Sequence, residues 1–211
     1  FVMNSCEEGL GNLKGSRQLF QDFGSRAVGF YTFDGFYDSI NNDAVGSMRY
    51  EVEFVTEGGH SYVDFGNKSA IHYMAHFITT LCQIKVPQEK KTTYNVGLVE
   101  GGTSVNTIAQ QAKMTYEFRS CGRDCLAFMK DAFEKTVEAY RAMGITINVK
   151  LLGERPCSDP NVDVTEITQF VKEVVEQYWG ESPSVRAGST DCNIPLSMGI
   201  PACCTAVCLG F

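Results

Sequence analysis

The sequence lacks three features that would have placed it in other classes of protein. No window approaches the roughly 18 consecutive apolar residues of a membrane-spanning helix. Basic residues are in the minority, with 18 Lys and Arg against 25 Asp and Glu, which argues against a nucleic-acid backbone as partner. The nine cysteines lack the close spacing of a disulfide scaffold or of paired CxxC knuckles. We therefore expect a soluble, acidic, globular protein with reduced thiols in the cytoplasm.

Three continuous apolar runs predict strands that are covered on both faces. They are FVM at the amino terminus, AVGFYTF (27–33) and IPACCTAVCLGF (200–211). Between the first two, LGNLKGSRQLF has the apolar spacing of a helix. VTEITQFVKEVVEQYWG predicts a second helix, which ends at Gly180. These elements form an α/β layer.

The middle of the chain has a different texture, because its strands alternate apolar and polar residues. MRYEVEFVT, TTYNVGLVEGG, AKMTYEFRS and ITINVKLLG alternate, and SAIHYMAHFITTLCQI and CLAFMKDAFEKTVEAYRAMG have helical spacing. The order β-α-β-β-α-β is the split unit of the ferredoxin-like fold. We therefore predict an α/β fold in which a partial parallel-sheet domain, residues 1–43 and 155–211, carries an inserted ferredoxin-like α+β domain, residues 44–154.

Acidic and hydroxyl-rich turns follow the predicted strands of the α/β layer. Glu7 and Glu8 follow FVMNSC, Asp34 follows AVGFYTF, and AGSTDCN (187–193) follows the extended stretch SPSVR. Since ligands of open α/β sheets bind beyond the carboxyl ends of the strands, we expect these turns to converge on one rim. Carboxylates there could bind Zn²⁺, with a neighbouring one as general base. The alternative is that Glu7 and Glu8 form the acidic first turn of a helix.

Five motifs in order make the sequence similar to a known family. They are EEGLGNLKG, FDG, EGGHSY, EGGTSVNTIAQQAKMTYEFRS and GSTDCNIPLSMGIPA. Over essentially its whole length the chain resembles the di-zinc metallopeptidase family of aminoacylase, carboxypeptidase G, the succinyl-diaminopimelate desuccinylase and tripeptide aminopeptidase. The resemblance implies a hydrolase with two zinc ions per active site that cleaves the amide bond of small peptides. It also implies that the inserted domain serves as a lid and forms a homodimer.

The resemblance assigns roles to individual residues. It implies that Glu7 is the general base, that Glu8 is a ligand of one zinc and that Asp34 is a ligand of the other. His60 matches the histidine that reaches into a neighbouring subunit's site and stabilises the oxyanion. Without the family, His60 could equally be a turn residue.

Further positions match substrate-binding residues of the family: Asn106, Arg119, Gly188, Ser189 and Thr190. Arg119 is suited to a bidentate grip on a substrate carboxylate. From the residues alone, Arg119 could instead be an edge-strand charge and Asn106 could cap a turn.

The sequence departs from the family pattern in its metal ligands. The pattern has a histidine and a bridging aspartate in an HxD motif before EEG, and another histidine after GSTD. Neither is present, and the three histidines, at 60, 72 and 76, all lie in the inserted domain. We therefore expect an inactive fragment that lacks its amino-terminal and carboxyl-terminal parts and binds zinc weakly or not at all. The alternatives are an N-acyl amino acid deacylase and a non-catalytic dimerisation or binding module.

Overall fold

The computed structural model describes residues 1–205 and divides the chain into two compact units. The first unit consists of Phe1–Ser47, Ser120–Arg123 and the chain from Gly153 onward, and the second of Met48–Arg119 and Asp124–Leu152. The carboxyl-terminal part of the run predicted over 200–211 lies outside the described residues. The domain boundaries expected from the sequence stay a prediction.

The elements are numbered in chain order. The strands are β1 (Phe30–Phe33), β2 (Ser39–Ala44), β3 (Gly46–Val55), β4 (Gly59–His60), β5 (Thr92–Gly101), β6 (Thr107–Ile108), β7 (Gln111–Ser120), β8 (Thr146–Arg155), β9 (Ser184–Gly188) and β10 (Ala202–Thr205). The α-helices are α1 (Lys14–Phe23), α2 (Ala70–Cys82), α3 (Arg123–Ala142), α4 (Thr165–Trp179) and α5 (Asn193–Ser197). Within residues 1–205, none of the helices combines the length and the apolar character that crossing a membrane requires.

The second unit has the predicted ferredoxin-like arrangement. Its four-stranded sheet has the order β5-β7-β3-β8, and α2 and α3 occupy the predicted places between the strands. On β3 every second side chain is buried, Met48, Tyr50, Val52 and Phe54 among them. All six predicted strands and helices of this unit are confirmed. The short β4–β6 pair was not predicted from the sequence, because two residues are too few to show an alternation.

Aromatic packing holds the helices of this unit against the sheet. The ring of Phe133, on α3, lies 4.5 Å from that of Tyr50 and 5.5 Å from that of Tyr116, measured between centroids. The ring of Phe77, on α2, lies 5.3 Å from that of Phe54. Phe133 is therefore at the centre of the core of the second unit.

The sheet of the first unit is mixed. Its order is β1-β10-β2-β9, and the predicted parallel pairing occurs between β1 and β10 and between β2 and β9. The β10–β2 pair is antiparallel, through Cys204 and Asn41. Strand β2 was not predicted from the sequence, because Ile40 and Ala44 are its only buried residues and SINNDA therefore shows no apolar run. The helix that ends at Gly180 is confirmed, with this glycine in the left-handed conformation at φ 87°.

The amino-terminal FVM does not form the predicted strand. Phe1, Val2 and Met3 are exposed and belong to no ladder. The backbone that follows bonds within its own turn instead, where Leu13 N donates to Cys6 O at 3.0 Å. A strand needs a neighbour that accepts its backbone hydrogen bonds, so an apolar run alone does not make one. The expectation of a strand here was wrong.

Two adjacent thiols on β10 are buried in the first unit. Burial raises the pKa of Cys203 to about 12 and that of Cys204 to about 11, from an ordinary value of 9.0. All described cysteines are free thiols.

The raised pKa values of Cys203 and Cys204 predict that the folded protein loses stability at alkaline pH. Because the folded pKa values are raised, the stabilisation is fully present below pH 9 and is lost as the pH rises toward 11 to 12. Between pH 9 and 10.5 we expect the free energy of unfolding to fall by about 2 kcal/mol for each thiol. Urea denaturation at both pH values measures the change. Cys203→Ala should make this fall smaller by its own share, about 2 kcal/mol, and an unchanged dependence would contradict the assignment.

Candidate metal centre

Three carboxylates of the first unit lie close together. One oxygen from each of Glu7, Glu8 and Asp34 lies within 4.8 Å of the corresponding oxygens of the other two. Asp34 directly follows β1, where its backbone N donates to Thr205 O at 2.8 Å. Carboxylate oxygens at this spacing can bind a common divalent cation, so the residues present fit a metal ion. The structure therefore brings the three predicted acids together.

A tight turn presents the two glutamates. They precede a 3-10 helix at Gly9–Gly11, and Gly11 N donates to Glu8 O at 2.9 Å. A Cβ on Gly11 would lie 2.5 Å from Cys6 O, so only glycine allows this close approach. Helix α1 begins at Lys14 and has no acidic residue in its first turn. The alternative that the glutamates form the first turn of that helix is therefore wrong.

Arg155, which was not predicted from the sequence, binds Glu7. It is the last residue of β8 and is only 5% exposed. Its Nη1 donates to Glu7 Oε1 at 2.9 Å and its Nη2 donates to the main-chain oxygen of Glu7. Nη1 also lies 3.2 Å from Ser189 Oγ. The sequence carried one signal: Arg155 is in phase with the buried Ile147 and Gly153, so its charge falls on the inward face of the strand.

Several groups act on the carboxyl of Glu7. Burial raises its pKa above the ordinary value, the nearby carboxylates of Glu8 and Asp191 raise it further, and Arg155 lowers it. Asp191 is buried, and its Oδ2 accepts a hydrogen bond from Asn4 Nδ2 at 2.6 Å. A carboxyl with a raised pKa exchanges protons closer to neutral pH, as a general base must.

The turn at 188–190 reaches the acidic cluster by an unexpected route. Strand β1 is parallel to β10, β10 is antiparallel to β2, and β2 is parallel to β9. Strand β9 therefore runs opposite to β1, and the carboxyl ends of these two strands lie at opposite ends of the sheet. The chain after Gly188 then folds back, so that Ser189 contacts Arg155 and the hydroxyl of Thr190 bonds the thiol of Cys204. The turn reaches the acidic cluster, as expected. The expected reason, that parallel strands end at the same side of a sheet, does not apply to this turn because β9 runs opposite to β1.

The three residues of this turn have different surroundings. A Cβ on Gly188 would lie 2.6 Å from the side chain of Asn41, so the position requires glycine. Thr190 is buried, and its hydroxyl accepts a hydrogen bond from Cys192 N at 3.1 Å. Ser189 is only partly buried. Of the two side chains in this turn, that of Ser189 is the more exposed.

The structure brings His60 and Asn106 together in the β4–β6 pair of the second unit. Ser61 N donates to Asn106 O at 2.9 Å. Nδ1 of the exposed His60 accepts backbone hydrogen bonds from Tyr62 at 3.3 Å and Val63 at 3.4 Å. A neutral imidazole that accepts at Nδ1 carries its proton on Nε2, where it can donate to another group.

Arg119 lies on β7, between β5 and β3 in the second sheet. The strand is internal, so the alternative of an edge-strand charge is wrong. Its Nε and Nη2 donate to the two carboxylate oxygens of Glu117 at 3.0 Å and 3.1 Å. Although burial raises it, the pKa of Glu117 is lowered overall by Arg119 and Arg49. A substrate carboxylate at Arg119 would have to share the guanidinium with Glu117.

The predicted site residues therefore fall into two groups. Glu7, Glu8, Asp34 and the turn at 188–190 belong to the first unit, and His60, Asn106 and Arg119 to the second. Each group is organised within its own unit.

Comparison with known proteins identifies a domain within the chain. Residues 43–142, just under half of the chain, match the model of the M20 peptidase dimerisation domain. The matched range includes most of the second unit, which therefore resembles that domain. No curated protein sequence gives a significant match.

Solved structures resemble this chain over nearly its whole length. The aminopeptidase PepT from Bacillus cereus is 25% identical, with a TM-score of 0.71, and the match covers 98% of this chain and 55% of that one. A tripeptidase from Staphylococcus aureus is 22% identical, with a TM-score of 0.68, over 93% of this chain and 52% of its own. A putative aminohydrolase from methicillin-resistant S. aureus is 14% identical, with a TM-score of 0.72, over 99% and 57%. The chain spans about half the length of these structures.

Proposed function

We propose that this chain belongs to the M20 peptidase family, as part of a metal-dependent hydrolase that cleaves the amide bond of small peptides in the manner of an aminopeptidase or tripeptidase. The convergence of Glu7, Glu8 and Asp34 carries the proposal, because three carboxylates within 4.8 Å of one another are suited to a divalent cation. The likeness to PepT and to the tripeptidase supports a peptide substrate.

In the proposed mechanism the complete site would hold two zinc ions. Glu8 would be a ligand of one ion and Asp34 a ligand of the other. When bound, zinc polarises the substrate carbonyl and makes a water molecule more acidic. Glu7 accepts the proton of the attacking water and passes it to the leaving amine. Arg155 holds Glu7 in place while this occurs.

Residues of the second unit complete the proposed site. His60 donates from Nε2 to the oxygen that becomes negatively charged, in the cleft of a partner subunit, since the dimerisation domain supports a homodimer. Asn106 and Arg119 bind the substrate, together with Ser189 of the 188–190 turn. Because all three histidines lie in the second unit and none matches a family metal ligand, we expect the chain alone to bind zinc weakly.

A titration with Mn²⁺ tests the metal centre. Carboxylates bind this ion well and thiols bind it poorly, so the cysteines interfere less than they would with Zn²⁺. Calorimetry measures the affinity for Mn²⁺, which Glu8→Gln and Asp34→Asn should each weaken by about tenfold or more. The matched control is Asp22→Asn, which removes an exposed carboxylate of α1 in the same unit. If Asp22→Asn weakened binding equally, the affinity would be non-specific surface charge.

A panel of tripeptides and N-acetyl amino acids tests the substrate class. We expect the complete hydrolase, supplied with Zn²⁺, to hydrolyse tripeptides in preference to acylated amino acids, with loss of activity on chelation. Hydrolysis of the acylated compounds alone would favour a deacylase of the same family. A stable dimer that hydrolyses neither would favour a non-catalytic binding module.

A further inference from the structure

We propose that Arg155 is a positioning residue that withdraws Glu7 from the cation, so that Glu8 and Asp34 are the ligands and Glu7 keeps an oxygen for the attacking water. The inference rests on the proposed function for the existence of a cation site. It adds a reason why one of three adjacent carboxylates acts as a base.

Distance alone does not separate a base from two ligands. All three carboxylates have an oxygen within 4.8 Å of the other two, so each is close enough to bind the same ion. Their ion pairs do separate them: within residues 1–205, Glu7 is the only one of the three that has a salt bridge. Arg155 is its partner, at 2.9 Å.

The geometry of the pair restrains Glu7 at two points. Arg155 Nη1 bonds the carboxylate at Oε1, and Nη2 bonds the main-chain oxygen of the same residue. The guanidinium thus sets both the path of the backbone and the direction of the side chain, and Oε2 remains for a proton. A carboxylate whose charge is already compensated is a poorer ligand, and the positive guanidinium beside it repels a cation.

Burial makes this pair difficult to separate. The side chain of Arg155 is 6% exposed and that of Glu7 is 22% exposed. Removing one partner of such a pair leaves a desolvated charge, so Glu7 cannot turn toward a cation without a large cost. Ser189 O and Oγ accept further hydrogen bonds from the same Nη1, which fixes the guanidinium from the other side.

A merely structural arginine is the competing explanation, since Arg155 also ties β8 to the amino-terminal turn and to Ser189. Loss of a structural tie would lower stability, but it would not change which carboxylates bind the ion. The dependence of cation affinity on Glu7, with and without Arg155, therefore distinguishes the two roles.

The experiment is a calorimetric Mn²⁺ titration of the whole 211-residue chain at neutral pH. With Arg155 retained, the single substitution Glu7→Gln should change the Kd for Mn²⁺ by less than about threefold. Glu8→Gln and Asp34→Asn should each raise this Kd by about tenfold or more. Arg155→Met should tighten Mn²⁺ binding by about fivefold, because Glu7 then joins the ligands. Adding Glu7→Gln to Arg155→Met should remove that gain, and Arg155→Lys, which keeps the charge, should resemble the unsubstituted chain.

Arg186→Met is the matched control. Arg186 belongs to the same unit and forms an exposed salt bridge with Asp38 at 3.1 Å, so its loss should leave Mn²⁺ affinity unchanged. Circular dichroism verifies that each variant folds.

Two results would overturn the inference in different ways. If, with Arg155 retained, Glu7→Gln weakens Mn²⁺ binding as much as Glu8→Gln does, Glu7 is a ligand. The inference then fails while the proposed cation site stands. If neither Glu8→Gln nor Asp34→Asn affects binding, the proposed site fails and the inference fails with it. The first comparison retains Arg155, so it decides the question even if Arg155→Met does not fold.

Discussion

Replacing Glu7 by glutamine is expected to lower kcat for peptide hydrolysis by about 10²- to 10⁴-fold in the zinc-loaded hydrolase. Glutamine has nearly the same size and still accepts a hydrogen bond from Arg155, but it cannot take a proton from water. The metal content should not change, because we assign the ligands to Glu8 and Asp34. Steady-state kinetics and metal analysis of the same preparation measure both quantities.

Glu166→Gln is the matched control for this substitution. Glu166 is an exposed glutamate in the first turn of α4, in the same unit as Glu7. The Glu166→Gln enzyme should have the same kcat as the unsubstituted enzyme. A Glu7→Gln enzyme with normal kcat would show that another group transfers the proton, and one that lost its metal would show that Glu7 is a ligand.

Phe133→Ala should produce the largest loss of stability, about 3 to 5 kcal/mol in the free energy of unfolding of the second unit. The side chain is 1% exposed and packs against Tyr50, Tyr116 and Phe77. Its removal leaves a cavity between the sheet and both helices, which cannot collapse without moving several rings. Urea denaturation followed by circular dichroism measures the change.

Phe128→Ala on the same helix provides the comparison. Phe128 is 47% exposed, so its loss should cost about 1 kcal/mol or less. Trp179, the single tryptophan, lies in the first unit, so its fluorescence reports on that unit separately. Equal losses for Phe128→Ala and Phe133→Ala would mean that the aromatic core is not what holds α3.

The second unit was predictable because its sequence carries a complete periodic signal. Each of its long strands has one face on the helices and one face toward solvent, so apolar and polar residues alternate. The first unit was less predictable. Strand β2 has few buried residues and was missed, whereas FVM is apolar and was taken for a strand that the structure does not contain.

The candidate site shows the same division. Glu7, Glu8 and Asp34 could be found because they stand in short motifs next to strands and turns. Arg155 was missed because it is far from Glu7 in the sequence, and no local pattern pairs the end of β8 with the amino-terminal turn. The contact of Ser189 with Arg155 depends on a chain reversal that strand direction alone did not predict.

The sequence by itself determined the β-α-β-β-α-β order and the alternating strands of the second unit, and it supplied the acids of the candidate metal centre. These properties follow from neighbouring residues, through side-chain periodicity and turn chemistry. Only the tertiary structure decided that β10 and β2 are antiparallel, that FVM stays outside the sheet and that a buried arginine holds Glu7. These features depend on hydrogen bonds and charges between residues distant in the chain, whose partners exist only once the chain has folded.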